Sequence, residues 1–129
     1  MATDADHVFN EVDAALGDDG VTITRVRGGR QVLEAALATD PDLVVLDLQI
    51  GSMGGVAACL DLRLEESGDR LVPQNILLLL DREADLFIAR QSGADGWLMK
   101  PLDAGRLRRA AEAILAGGTY TELAVAQLG

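Results

Sequence analysis

The chain has 129 residues, 49% of them hydrophobic and only 3% aromatic. That is enough for one domain with a real core, built from Leu, Val, Ile and Ala rather than from rings. A formal charge of −10 argues against nucleic acid as the main partner, and the single cysteine, Cys59, excludes an internal disulfide and a Cys-rich metal site.

No apolar run is long enough to cross a bilayer, and the first residues carry no signal-peptide pattern. A cytoplasmic protein with no membrane partner is the expectation. Val8, Val12, Ala15 and Leu16 recur at helical spacing, and Gly17 and Gly20 close that segment. Val21, Ile23 and Val26 alternate, which predicts a strand over Val21 to Arg25. A second helix follows Gly28-Gly29, with Val32, Leu33, Ala36 and Leu37 on one face, and Pro41 breaks it.

Leu43 to Leu46 is wholly apolar, the mark of a strand covered on both faces. It runs into Asp47 and a loop that closes on Gly54-Gly55. Val56, Leu60 and Leu64 predict the face of a third helix, and the polar stretch from Glu65 to Gln74 reads as a connection. Ile76 to Leu80 is a second fully apolar strand. Ala84 to Ser92 is a short helix, and Gly96 to Met99 a short strand stopped by Pro101. Leu107, Ala111, Ile114 and Leu115 mark a last helix, ended by Gly117-Gly118.

Strands alternating with five helices predict an α/β fold, a parallel sheet covered on both faces. Ligands of such sheets bind beyond the carboxyl ends of the strands. Asp47 and Lys100 both stand at that edge, and Asp4 lies just before the first helix. Carboxylates with nearby carbonyls suit a hard cation such as Mg²⁺. A carboxylate beside such a cation can take a phosphoryl group as an acyl phosphate, and a lysine ammonium can pair with its oxygens. Taken singly, Asp47 also suits a turn cap, Asp4 a helix N-cap, and Lys100 an ordinary surface position.

"PDLVVLDLQIGSMGG" and "SGADGWLMKPLDAGRL" resemble two signature segments of the receiver domains of bacterial two-component response regulators. The resemblance runs roughly from Thr3 to Gly118. It implies a flavodoxin-like doubly wound sheet, a receiver domain over 1–118 and a short tail over 119–129. It implies that Asp47 is the phosphoacceptor, that Lys100 contacts the phosphoryl group and that Trp97 is the switch aromatic. Asp4, Asp47 and the backbone carbonyl of Gln49 would hold Mg²⁺. A sensor histidine kinase would donate the phosphate. A protein target would bind the face made by the fourth helix, last strand and last helix, with homodimerisation left open. The expected protein is a stand-alone signalling phosphoprotein and not an enzyme. Its alternative is a pseudo-receiver that binds partners without phosphorylation.

The sequence departs from the family pattern at four places. Thr3 and Asp4 stand where two adjacent acids are usual, unless Asp6 substitutes for the missing one. Leu80 or Asp81 stands where a Thr or Ser is usual, and neither can do its work. Gly51 and Gly54 replace a loop proline and an acid. Only Met1-Ala2 remains of the first strand, which the family places mid-sheet. That truncation leaves three expectations: a start further upstream, a rearranged sheet, or another chain filling the gap.

Overall fold

Short apolar runs bounded by turn residues satisfy their backbone here by pairing with one another. The computed structural model describes residues 1–18, 20–50 and 54–122. Val44–Asp47 (β1), Ile76–Leu80 (β2) and Gly96–Met99 (β3) form a parallel sheet in that order. Asp47 stands opposite Leu79, and Leu80 opposite Met99.

The period of two splits each strand between two cores. Val44, Leu46, Ile76, Leu78, Leu80 and Trp97 face one core, and Val45, Leu77, Leu79 and Leu98 face the other. Asp6–Leu16 (α1) and Ala104–Leu115 (α5) cover the second core. Val32–Thr39 (α2), Gly55–Ser67 (α3) and Asp85–Gln91 (α4) cover the first. The doubly wound expectation therefore holds. Helix ends follow their sequence signals. Asp40 takes the left-handed conformation (φ 47°) after α2, ahead of Pro41, and Asp103 caps α5 by accepting from the Arg106 N–H at 2.9 Å.

The sequence reading needs two corrections here. Val21 to Arg25 does not form a strand. Among the described residues of that flank only Val26 bridges, to Ala2, and Ala2 bridges in turn to Leu46. The alternation is present, but among the described residues only Ala2 bridges to this flank. Met1 to Thr3 supply the whole central rung, through Ala2 N–H to Val45 (2.8 Å), Asp47 N–H to Ala2 (2.9 Å) and Thr3 N–H to Val26 (3.0 Å). Ala2 pairs between Val26 and Leu46, so the sheet is not rearranged there. A groove of about 590 Å³ lies beside Ala2, between residues 20–26 and the start of β1.

The second correction concerns α3. Its buried residues are Gly55, Ala58, Cys59 and Leu62, whereas Leu60 and Leu64 are exposed. The close approach of Gly55 sets the helix against β1. A Cβ there would lie 2.5 Å from the Asp47 carbonyl oxygen, so only glycine fits. With that end pinned, the small side chains face the sheet and the leucines turn away.

Candidate functional site

A carboxylate at the end of a fully buried strand is stable only if its oxygens find donors. Asp47 is 1% exposed. One oxygen, Oδ1, accepts from Lys100 Nζ at 2.6 Å and from the Gln49 N–H at 3.2 Å. The other, Oδ2, accepts from the Thr3 hydroxyl at 2.7 Å. Thr3 is wholly buried, and its oxygen also accepts from the Ala5 N–H at 3.1 Å, which orients it toward Asp47.

Lys100 follows β3, and its peptide bond to Pro101 is cis. The ammonium bridges two acids, with Asp81 Oδ1 at 3.0 Å as its second partner. Burial alone would lower the Lys100 pKa. The bonds to Asp47 and Asp81 outweigh it and hold the pKa above the usual lysine value, so the side chain stays cationic. Asp81 is placed by the turn after β2, where buried Asp85 accepts from the N–H groups of Asp81 (3.1 Å) and Arg82 (2.9 Å). Asp81 Oδ2 is buried without a hydrogen-bond partner.

The structure thus brings Asp47 and Lys100 together, as their positions at one sheet edge required. Between the two candidates at the end of β2 it selects Asp81, because Leu80 is fully buried in the core. Gln49 reaches Asp47 through its N–H. Asp4 is exposed, and its neighbour Thr3 makes the contact with Asp47. Asp6 pairs with Arg25 at 2.9 Å. Among the described residues, no group of three or more His, Cys, Asp or Glu is placed to hold a metal ion. Gly51 lies outside the described residues.

Trp97 sits on β3 within the core that α4 covers, and its indole N–H donates to the Glu122 carbonyl at 3.0 Å. Sequence reasoning missed the roles of Thr3 and Asp81 as direct partners of the Asp47–Lys100 pair. The signal was available: a hydroxyl and an acid, each at the carboxyl end of its segment of the sheet. The single thiol takes no part. Cys59 is buried, burial pushes its pKa up to about 11, and it donates to the Ser92 carbonyl at 3.3 Å.

A doubly wound sheet with an acid–lysine pair at its carboxyl edge defines a class, the receivers of signalling phosphorelays. The family model described as "Response regulator receiver domain" matches residues 1–112, and the chain belongs to that family. It is 30% identical over 112 residues to the transcriptional regulatory protein CseB of Streptomyces avermitilis, covering 87% of this chain and 46% of that protein. It is also 30% identical over 103 residues to the nitrate/nitrite response regulator NarL of Escherichia coli K12, covering 80% and 46%. The chain spans about half the length of these curated relatives. Among solved structures, the receiver domain of the putative response regulator NarL from Mycobacterium tuberculosis superposes with a TM-score of 0.77 at 26% identity, covering 90% of this chain and 93% of that one. A LuxR-family two-component regulator from Aurantimonas gives 0.78 at 25% identity, covering 98% and 89%.

Proposed function

We propose that the chain is a phosphorylation switch in which Asp47 takes a phosphoryl group from a sensor histidine kinase. The observation that carries this reading is Lys100 Nζ seated 2.6 Å from Asp47 Oδ1 at the carboxyl edge of the sheet. In the step itself, a carboxylate oxygen of Asp47 attacks phosphorus. The bond from phosphorus to the donor's nitrogen or oxygen breaks, and the donor leaves with that electron pair. The product is an acyl phosphate on Asp47. Lys100 is free to follow the charge from the carboxylate to the phosphoryl oxygens, as a point charge with three donors.

Mg²⁺, held by Asp47 with Asp4 and the Gln49 carbonyl, would neutralise the incoming phosphate. The donors suit a hard cation in kind but are few, so binding should be weak. Asp81 opposes the reaction product, since its charge lies beside the position of the phosphoryl oxygens. Output is proposed to run through protein contacts on the face of α4, β3 and α5, where Phe87 and Ile88 are exposed on α4. The proposed setting is the cytoplasm, where such a kinase presents its phosphohistidine.

A second reading draws on a specific observation: every Asp47 oxygen already has a donor, and an acid stands where a hydroxyl would steady a phosphoryl group. This is the phosphorylation-independent binding module. Intact-mass measurement with acetyl phosphate and Mg²⁺ separates the two. The switch predicts one phosphoryl adduct on the wild type and none on Asp47→Asn. An unlabelled wild type, or equal labelling of the variant, replaces the switch with the module.

A further inference from the structure

The outer edge of β3 presents backbone donors that a later segment of the chain covers. After α5 the chain reverses at Gly117 (φ +91°), with Gly118 N–H donating back to Ala113 at 2.9 Å. It then runs parallel to β3, and Tyr120 bridges to Gly96. The Tyr120 N–H donates to the Asp95 carbonyl at 3.2 Å, and the Trp97 N–H donates to the Tyr120 carbonyl at 2.9 Å. Gly96 is cut to this contact, because a Cβ there would collide with the Tyr120 carbonyl oxygen.

Beyond Tyr120 a side chain takes over from the backbone. The Met99 N–H, the next rung of β3, donates to Glu122 Oε1 at 2.8 Å. Arg106 Nε donates to Glu122 Oε2 at 2.7 Å, and Arg106 Nη2 to Oε1. Arg106 is itself held by the carbonyls of Met99 (2.8 Å) and Pro101 (2.9 Å). Two backbone rungs, an indole N–H on the Glu122 carbonyl and a bidentate guanidinium on its carboxylate make a complete recognition set for one short segment.

We propose that the edge of β3 is a docking surface for an extended acidic segment of a partner, and that Tyr120–Glu122 occupy it until the partner displaces them. The partner carries Asp or Glu two residues after the residue paired with Gly96, and binds by strand addition. This deepens the output face proposed above and rests on it, but needs no chemistry at Asp47. The resident segment is short, with one β-bridge and an end fixed by side-chain bonds at a partly exposed ion pair, so a longer strand can take its place. Its advantage is proximity: a tethered segment has an effective concentration on the order of millimolar. Removing the carboxylate anchor therefore opens the edge to a competitor.

The test uses the full chain and Glu122→Ala, with the peptide acetyl-GGTYTE-amide as probe and Trp97, the only tryptophan, as reporter. Glu122→Ala should shift Trp97 emission to the red and bind the peptide about tenfold or more tighter than the wild type does. A peptide with Gln for Glu should lose about tenfold. Equal affinity of both proteins, or of both peptides, overturns the proposal. Should Glu122→Ala not fold, amide exchange on the wild type decides. The Trp97 and Met99 amides should exchange by local opening, well ahead of Leu78 and Leu79; exchange only on global unfolding overturns the proposal. Asp47 labelling is scored separately, so failure of the switch and failure of this surface remain distinct results.

Discussion

The two flanks of the sheet are finished in different ways. Beside β3 the sheet gains a segment, Tyr120–Glu122, fastened by backbone, indole and guanidinium donors. Beside β1, among the described residues, Ala2 alone bridges to Val26. The gained segment has no alternating apolar pattern, while Val21 to Arg25 has one and stays out of the ladder. Strand pattern proposes a strand, and an available partner edge decides. The site lies where the three-stranded part of the sheet meets the single-bridge flank, since Asp47 N–H pairs with Ala2 and its carboxylate with Thr3.

If the three-stranded part carries the stability, the largest effect should come from its centre. Leu78 is fully buried in mid-sheet, and Leu78→Ala should cost roughly 2–5 kcal/mol. Ile23 lines the groove and is only half-buried, so Ile23→Ala should cost about 1 kcal/mol or less. Urea denaturation of both variants makes the comparison directly. An Ile23→Ala cost equal to that of Leu78→Ala would mean that the groove is closed in solution.

The next effect is a pH dependence peculiar to the single-bridge flank. The Met1 amino group donates to the Thr24 carbonyl at 2.9 Å at the head of the groove, and burial lowers its pKa from 8.0 to about 6. The unfolded chain therefore binds this proton more tightly than the folded one. Stability is full above pH 8, falls as pH drops from about 8 to about 6, and is flat below, as far as this group is concerned. The span is on the order of 2–3 kcal/mol. Urea midpoints at the two ends of that range should differ, and N-terminal acetylation should remove the difference. An acetylated chain with the same pH slope would place the titrating group elsewhere.

A smaller effect tests the bond that ties the flanks together. Thr3→Val keeps the shape and deletes the donor to Asp47 Oδ2, leaving a buried carboxylate oxygen short of a partner. The expected cost is about 1–2 kcal/mol in urea denaturation. Its absence would mean that Asp47 takes up water or another donor in solution.

These cases show what the sequence carries. β1, β2 and β3 were legible because runs such as "ILLLL" are too short for a helix and are bounded by turn and breaker residues. The positions of Asp47 and Lys100 followed, since each terminates such a run. Thr3 and Asp81 were harder, because their roles depend on which strands become neighbours. The face of α3 was misread because Leu60 and Leu64 are larger than Ala58 and Cys59, yet Gly55 fixes the helix with the small residues inward. The seating of Glu122 depends on the Arg106 guanidinium reaching it from α5, a contact that no local pattern announces.

The last prediction bears on Asp81, whose carboxylate completes the bridge through Lys100. Asp81→Thr removes one acid from the pair that shares the ammonium and supplies a hydroxyl near the end of β2. Two consequences run in the same direction. Lys100 loses its competing partner, and the phosphoryl group loses a neighbouring negative charge and gains a donor. Labelling of Asp47 by acetyl phosphate should rise by up to about tenfold, equivalent to roughly 1.4 kcal/mol or less. Phosphorylation should also shift Trp97 emission more than it does in the wild type, because a hydroxyl bound only in the phosphorylated state gives the two conformations a differential free energy. Stopped-flow labelling and emission spectra read both. A faster reaction with an unchanged spectrum would confine Asp81 to the chemistry at Asp47. No change in either would detach Asp81 from phosphoryl transfer and leave its pairing with Lys100 as support for the fold.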